Sequence, residues 1–356
     1  MKKMYCLIIV LLLCFSFFTP LYSKLTISNA ITEEVNYQIY EGENLLFERP
    51  LPKVGDIIIT KDFSQYEIYL VDQTNYKAKA RKINNFEKPK ITKKPLSNIS
   101  TENKKISLYM THNDESYLDG DGTDSYYGAG GIHDVTKRLA YHFKQKGVNI
   151  VVDETLHIPH NSSAYTRSKT TALKLLKDNP NALFDIHRDG VSRSAYAVKV
   201  DGKERCQIRI VVGQANPNKD KNLQFAKYLM SVAEVICPWL FCDIYYASGN
   251  YNQNLYEKAL LFEMGTYTME KDLVMESVPE LVNVICTTLF ATSIDQDGNL
   301  TIGELNNENL TLDQYLDQSN KNNSNTSFVV WAILIVVFCL AFVIFFVIKH
   351  KKGLKA

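Results

Sequence analysis

The sequence of 356 residues lacks an excess of charge of either sign. Forty lysines and arginines stand against 39 aspartates and glutamates, which gives a formal net charge of +1. Domains that bind nucleic acid usually carry a basic surface, so this balance gives no support to a nucleic-acid partner. Hydrophobic residues make up 46% of the chain, which is typical of a folded globular protein.

Cysteine is scarce outside the apolar ends of the chain. Three of the seven cysteines lie in those ends, and the four between them are Cys206, Cys237, Cys242 and Cys286. Four residues separate Cys237 from Cys242, so this pair is not the CxxC motif of redox proteins. We interpret the four cysteines as structural. Outside the cell they can form one or two disulfides, for which their spacing fixes no connectivity.

The N-terminal end carries two lysines followed by an apolar run. Lys2 and Lys3 precede the apolar residues 4–18, which is the pattern of a secretory signal. We therefore predict that residues 1–23 are a signal peptide. An uncleaved N-terminal membrane anchor remains the alternative.

The C-terminal end carries a second apolar segment, residues 328–348, which contains no charged side chain. At about 1.5 Å of rise per residue, a helix of this length spans roughly the 30 Å of a hydrocarbon core. Four lysines among residues 349–356 follow it, which places this tail in the cytoplasm. We predict a transmembrane helix in the cell membrane, with the rest of the mature chain on the extracytoplasmic side.

Three regions lie between the apolar ends. Residues 24–100 contain short β-like runs, such as residues 56–60 and 66–71, between turn-forming stretches, which predicts a small β module and a linker. Residues 105–291 alternate strand-like and helix-like segments, which predicts an α/β domain with a mainly parallel sheet flanked by helices. The predicted strands are residues 106–110, 148–152, 182–186, 208–212 and 259–263, and one predicted helix carries apolar residues at positions 132, 135, 139 and 143 and ends at Gly147. Residues 292–327 are rich in Asn, Asp and Gln, which predicts a polar tether to the transmembrane helix.

Chemically versatile side chains lie at the ends of predicted strands in the α/β domain. Six of the seven histidines fall between positions 112 and 187. His112 and His187 each follow a predicted strand, and Glu263 ends a third one. In open parallel sheets, ligands collect at the carboxyl ends of the strands. We therefore expect these three side chains to converge in one crevice.

The local spacing adds a candidate zinc site. His112 and Glu115 form an HxxE pair, which a tight turn can direct at one metal ion. Together with His187 they supply two imidazoles and a carboxylate, the ligand set of a hydrolytic zinc site with an open fourth position. Zinc in such a site lowers the pKa of its bound water to about 7, and Glu263 is the predicted general base.

Other polar residues near the predicted crevice leave alternatives open. His133 and Glu154 are possible third ligands in place of the HxxE carboxylate. Arg188 directly follows the second histidine, where its guanidinium can hold a substrate carboxylate or form a surface salt bridge. Arg167 lies at the start of a predicted helix, where it can receive an anion together with the backbone donors.

Four blocks of the sequence resemble those of a known family, and they occur in the same order. They read Leu108-Tyr-Met-Thr-His112-Asn-Asp-Glu115-Ser-Tyr117, Asp153-Glu-Thr-Leu-His157, Ser163-Ala-Tyr-Thr-Arg167-Ser168 and Asp185-Ile-His187-Arg188-Asp189-Gly190. The combination resembles the stage II sporulation protein P family over about residues 105–289. Met110 departs from the family pattern, which has a histidine there. The predicted C-terminal helix also departs from the usual family layout, an N-terminal anchor followed by the catalytic domain.

The resemblance implies a peptidoglycan hydrolase of forespore engulfment. It implies a zinc-dependent N-acetylmuramoyl-L-alanine amidase with an added endopeptidase activity on stem peptides, built on an amidase-type α/β fold. The family's site residues carry over to His112, Glu115, His187, Arg188 and Glu263. The implied partners are peptidoglycan, a lytic transglycosylase and a membrane scaffold of the same sporulation stage.

Two other functions remain open from the sequence. A non-catalytic wall-binding scaffold would keep the fold and lose the metal, but such a protein has no chemical reason to retain the two histidines and both glutamates. A zinc carboxypeptidase would also use an HxxE pair and a later histidine. It would need an arginine that binds a terminal carboxylate, a role that either Arg188 or Arg167 can fill.

The basic residues beside both apolar ends generate a prediction on the orientation of the chain. A protease added outside intact, wall-stripped cells should degrade the region between the apolar ends and spare the C-terminal tail. Immunoblotting of a tag placed after Ala356 measures this, with a cytoplasmic marker protein as the control for lysis. A tag that is accessible from outside would contradict the predicted orientation.

Overall fold

The computed structural model describes residues 36–85, 88–93 and 104–302, and these belong to one compact unit. The predicted signal segment, transmembrane helix and basic tail lie outside the described residues, as does most of the predicted polar tether. The structure therefore bears on the predicted β module and on the α/β domain.

Four helices and sixteen strands account for most of the regular structure in these ranges. The helices are α1 (Ile132–Gln145), α2 (Ala164–Leu176), α3 (Lys219–Ile236) and α4 (Lys271–Phe290). The strands are β1 (Asn36–Glu41), β2 (Asn44–Pro50), β3 (Ile57–Thr60), β4 (Ser64–Asp72), β5 (Lys77–Asn85), β6 (Ile91–Lys93), β7 (Lys105–Tyr109), β8 (Asn149–Asp153), β9 (Ala182–Asp189), β10 (Ala197–Val200), β11 (Lys203–Cys206), β12 (Ile208–Gly213), β13 (Phe241–Ala247), β14 (Ala259–Thr266), β15 (Thr292–Ile294) and β16 (Leu300–Ile302). Short helical turns occur at Leu118–Asp121, Arg193–Ala195 and Gln253–Leu255.

Eleven strands form one mixed sheet, in the order β2-β1-β5-β4-β3-β13-β12-β14-β9-β7-β8. From β13 to β8 the pairings are parallel except that of β12 with β14. The prediction of a mainly parallel sheet thus holds for the α/β strands and not for the whole sheet. The difference arises because strands joined by short hairpins, such as β3, β4 and β5, pair antiparallel.

The predicted small β module continues the sheet of the α/β domain. Its strand β3 pairs antiparallel with β13, so β1 to β5 extend the same sheet beyond the α/β strands. The sequence predicted two of these strands, around residues 56–60 and 66–71, but not their attachment to the sheet. The domain boundaries themselves stay a prediction.

Alternate residues of the α/β strands point to opposite faces of the sheet. Leu108, Phe184 and Phe262 point to one face, where they belong to the main core with apolar side chains of α1, α3 and α4. Leu183 and Leu261 point to the other face. There Leu183 belongs to a cluster with α2, and Leu261 to a cluster with apolar residues of β1, β3, β4 and β5. The N-terminal strands therefore cover part of the second face.

Helix α1 shows how the sequence pattern sets the core. Ile132, Val135, Leu139 and Phe143 recur at helical spacing, and all four are buried. Gly147 follows the helix with a φ of +68°, a left-handed conformation that glycine adopts at low cost. The predicted helix and its end are both confirmed.

Helix α4 is the one helix in the described ranges that is long and apolar enough to cross a membrane. Ten of its residues are buried in the fold, and it packs against α1 and α3. Burial of this helix in the core of the fold explains its apolar composition equally well. The segment that we predicted to cross the membrane, residues 328–348, is not among the described residues.

The four cysteines between the apolar ends are all free thiols in the structure. Cys206, Cys237 and Cys286 are buried, and Cys242 is half-buried. Burial raises the pKa of each of these thiols, so their side chains stay protonated and unreactive at neutral pH. They contribute as small apolar groups in the core.

Asn222 on α3 holds the beginning of β14 and generates a prediction on stability. Its fully buried Nδ2 donates to the carbonyl oxygens of Tyr256, Glu257 and Ala259 at 2.9–3.1 Å. Asn222→Ala removes the buried donor that these three carbonyls share, so urea denaturation should show a free energy of unfolding lower by about 1–3 kcal/mol.

Lys221 provides the matched control on the same helix. Its Nζ contacts Glu257 at 2.6 Å, but both side chains are largely exposed. Lys221→Ala should change the free energy of unfolding little, because water screens exposed ion pairs. Equal losses in the two variants would show that Asn222 does not have the anchoring role assigned to it.

Candidate metal and catalytic site

The structure brings His112, Glu115 and His187 together at the carboxyl ends of β7 and β9. His112 and Glu115 follow β7, whereas His187 lies within β9, because this strand continues to Asp189 and does not end before His187 as the sequence predicted. His112 Nδ1 lies 3.0 Å and His187 Nδ1 3.3 Å from Glu115 Oε1. One ligand atom from each of the three residues lies within 4.8 Å of the other two, and no other group of His, Cys, Asp and Glu among the described residues has this spacing. Donor atoms around a tetrahedral zinc ion lie about 3.4 Å apart, so this set fits one ion.

The backbone around the cluster holds each side chain in place. His112 and Glu115 lie in the loop after β7, and Glu115 forms an isolated antiparallel bridge with Ser125. The Arg188 backbone N–H donates to Glu115 Oε2 at 2.9 Å, which links this loop to β9. His187 lies on β9 itself, where its pairing with Glu263 on β14 limits its movement. The pairing of β9 with β7 ends two residues earlier, at Asp185.

Asp185 supports His187 from the same face of β9. The backbone N–H and the hydroxyl of Thr111 donate to the Asp185 carboxylate at 2.8 and 2.6 Å. His187 Nε2 lies 3.0 Å from Asp185 Oδ1, but the two atoms are not aligned as a hydrogen bond. Asp185 therefore acts on this imidazole through its charge, and it keeps the ring between two carboxylates.

The buried charges shift the protonation of the cluster. Burial alone would raise the pKa of Glu115, but His187 and His112 hold that pKa well below its usual value. Burial alone would lower the pKa of His187, but Asp185 and Glu115 raise it well above its usual value. Burial lowers the pKa of His112. Glu115 is therefore ionised and ready to bind a cation.

Glu263 lies directly beside His187 across the sheet. The two residues are register partners in the parallel pair formed by β14 and β9. Glu263 is 8% exposed, and its buried Oε2 has no hydrogen-bond partner. Burial and the Asp189 carboxylate raise the pKa of Glu263 to about 8, while His187 and Arg49 oppose this rise. A carboxyl with a pKa near neutrality is suited to accept and return a proton.

The two alternative third ligands, His133 and Glu154, do not lie in this cluster. His133 Nδ1 lies 3.2 Å from Glu154 Oε1, so these residues pair with each other. Neither belongs to the group of close ligand atoms around Glu115. The geometry therefore favours Glu115 as the third member of the set.

Two aromatic rings outside the predicted ligand set line the cluster. The His160 ring stacks on His112 with 3.8 Å between centroids, and its Nδ1 lies 2.9 Å from Asp114 Oδ1. The Tyr165 ring lies 5.5 Å from that of His112 and 6.1 Å from that of His187. Tyr165 is part of the motif at the start of α2, and this was the one sequence signal that pointed to it.

The two predicted substrate-binding arginines both donate to oxygens of the protein. The guanidinium of Arg188 donates to the carbonyl oxygens of Ser116 and Asp124 at 3.2 and 2.8 Å. That of Arg167 donates to the carbonyl oxygens of His157 and Pro159 and to the side chain of Asn161. These contacts hold the loops around the site, and substrate binding by either arginine stays a prediction.

Comparison with known proteins supports the resemblance that the motifs indicated. The sequence matches the family described as stage II sporulation protein P (SpoIIP) over residues 41–286. Stage II sporulation protein P of Bacillus subtilis (strain 168) is 26% identical over 192 residues, which are 49% of this chain and 48% of the relative. The chain thus spans about half the length of the curated relative that it matches.

Two solved structures share a weaker likeness in fold. The CwlD amidase from Clostridioides difficile in complex with the GerS lipoprotein has 18% identity and a TM-score of 0.36, covering 52% of this chain and 98% of that one. The N-acetylmuramoyl-L-alanine amidase from Clostridium difficile 630 has 14% identity and a TM-score of 0.31, covering 53% and 95%. No residue role follows from likeness at this level. The family match spans more than half of the sequence, and the chain belongs to the stage II sporulation protein P family.

Proposed function

We propose that this protein is a zinc-dependent peptidoglycan hydrolase that acts in cell-wall remodelling during sporulation. The reaction proposed is that of an N-acetylmuramoyl-L-alanine amidase, with endopeptidase activity on stem peptides as an additional part. The observation that carries the proposal is the convergence of His112, Glu115 and His187 beside the buried carboxyl of Glu263. Membership of the family supports the substrate class.

His112, Glu115 and His187 would hold the zinc ion and leave one position open. When bound, zinc supplies a Lewis acid that activates water and polarises the scissile carbonyl. Glu263 takes a proton from the water through its unpaired Oε2 and returns it to the leaving amine. Both acid–base steps need a carboxyl that changes protonation near neutral pH, which burial of Glu263 provides.

The contacts of the two arginines favour an amidase over a carboxypeptidase. A carboxypeptidase needs a guanidinium that is free to bind the terminal carboxylate of its substrate. Arg188 donates to protein oxygens through all three nitrogens of its guanidinium, and Arg167 does so through Nε and Nη2. An endo-acting or amide-directed enzyme has no such requirement.

The membrane location and the protein partners are part of the same proposal. An extracytoplasmic domain tethered to the cell membrane would meet peptidoglycan directly, and the family supports this location. The lytic transglycosylase and the membrane scaffold stay predictions, since neither interface can be recognised in the described residues.

The metal site generates a prediction with a matched histidine control. Wild-type protein should bind about one zinc ion per chain, and His187→Ala should remove it because two ligands do not complete a tetrahedral site. His133→Ala should keep the ion, since His133 pairs with Glu154 outside the cluster. Elemental analysis after gel filtration measures the metal, and circular dichroism checks the fold. Full zinc occupancy in a His112→Ala, His187→Ala double variant would contradict the proposed ligands.

The role of Glu263 generates a separate prediction. Glu263→Gln keeps the size of the side chain but removes proton transfer, so release of stem peptides from purified sacculi should fall about 100- to 10,000-fold. The variant should still bind zinc and sediment with sacculi. Mass spectrometry of the released fragments identifies the bond that is cut.

Glu257→Gln is the control for this substitution, because Glu257 is an exposed residue just before the same strand and pairs with Lys221. It should cleave at the wild-type rate. Cleavage by Glu263→Gln at that rate would assign the base to another residue. Wild-type protein that binds sacculi and releases nothing would favour the scaffold function.

A further inference from the structure

One side chain of the N-terminal strands reaches the carboxyl end of β9. Arg49 lies on β2, and its Nη1 donates to Asp189 Oδ2 at 2.6 Å although the two residues are 140 positions apart. The side chains are 12% and 2% exposed, so the ion pair is almost excluded from water. A buried ion pair costs desolvation energy, and breaking it would leave an uncompensated charge.

Asp189 is the centre of a buried charge cluster. Its Oδ2 also accepts from Arg209 Nη1 at 2.6 Å and from the Tyr196 hydroxyl at 2.8 Å, and its Oδ1 accepts from the Gly190 N–H. Arg209 in turn binds Asp243 through Nε and Nη2 at 2.6 and 2.9 Å. Arg209 is therefore shared between two carboxylates, and Arg49 supplies the second positive charge that balances the pair.

The position of Asp189 determines the geometry beside the candidate active site. Asp189 lies two residues after His187 on β9, so both side chains point to the same face of the sheet. The pairing of β9 with β14 is irregular between Glu263 and Thr266, where the Thr266 hydroxyl donates to the carbonyl oxygen of Asp189 at 3.0 Å. Asp189 thus anchors the irregular stretch that directly follows Glu263.

The guanidinium of Arg49 is itself held from a second side. It lies 4.1 Å above the ring of Tyr245, whose hydroxyl donates to the buried Asp56 in the turn before β3. Arg49 Nε is buried without a hydrogen-bond partner, as is Oε2 of Glu263. The Arg49 side chain is buried and stacked on a ring, so few other conformations are open to it. Its contact with Asp189 is therefore well ordered.

We propose that Arg49 is a positioning residue for the hydrolysis. By holding Asp189 it fixes the end of β9 that carries His187 and the adjoining stretch of β14 that carries Glu263. The N-terminal strands β1 to β5 then contribute to catalysis, because β2 carries the residue that orders the site. This inference rests on the proposed function for its kinetic test, and it has a second test that does not.

The kinetic test compares three variants of the full chain on a soluble muramoyl peptide. Arg49→Met should lower kcat about 100-fold with little change in KM, because small displacements of catalytic groups slow the reaction and a positioning residue acts on those groups rather than on substrate binding. Arg49→Lys should recover most of kcat, since one nitrogen of Arg49 bonds to Asp189 and a lysine also carries a cationic donor. If Arg49→Met does not fold, Arg49→Gln replaces it and should show the same loss.

Arg81→Met is the matched control, because Arg81 lies on β5 and pairs with Glu67 in a largely exposed contact. It should keep wild-type kinetics. Wild-type kcat in a folded Arg49→Met or Arg49→Gln protein would overturn the proposal. So would a rise in KM at unchanged kcat, or a folded Arg49→Lys as slow as the neutral variants.

Hydrogen–deuterium exchange supplies the readout that does not need activity. In Arg49→Met, amides of residues 187–191 and 263–267 should exchange faster, while those in α1 and α3 keep the wild-type rate. Unchanged exchange at the two stretches would overturn the positioning role. If wild-type protein releases no stem peptides, the proposed function fails, and the exchange result still decides the role of Arg49.

Discussion

The parallel pairing of β9 with β14 is the interaction on which the candidate site depends. It places Glu263 beside His187 in register, and it carries the buried carboxyl to the same edge as the two imidazoles. Because side chains alternate along a strand, a shift of one residue would turn Glu263 away from the site and into the main core. The core residues Phe184 and Phe262 oppose such a shift, since their rings pack 5.0 Å apart on the opposite face.

One face of the large mixed sheet packs in the main core, and the other face carries the residues of the candidate site. One face is apolar and is covered by α1, α3 and α4, which gives the strands a rigid support. The other face carries Asp185, His187, Asp189 and Glu263 between α2 and the N-terminal strands. Charges on this second face can stay buried because each aspartate is bound by hydroxyl, backbone or guanidinium donors. Glu263 Oε2 has no such donor, and burial together with the Asp189 carboxylate raises the pKa of Glu263.

Local patterns predicted most of the α/β elements, including α1 and the strands that end near the site. Helical spacing of apolar residues and runs of β-branched residues are properties of short segments, so they can be recognised from the sequence alone. Strand β13 was missed because Asp243 and Tyr246 interrupt its apolar pattern. Asp243 is acceptable there because Arg209 neutralises it within the sheet, an interaction that no local pattern reveals.

The sequence by itself determined which side chains were available for chemistry and that His112, His187 and Glu263 would lie near the carboxyl ends of strands. The structure extends two of these strands beyond the predicted ends, β9 to Asp189 and β14 to Thr266. Its motifs also determined the family. Only the tertiary structure decided that Glu115, and neither His133 nor Glu154, lies with the two histidines, and that His160 and Tyr165 line the cluster. It also decided that Arg49, on a strand expected in a separate module, binds Asp189. The physical reason is that strand order and register are set by contacts between distant segments, whereas the sequence pattern reports only on neighbours along the chain.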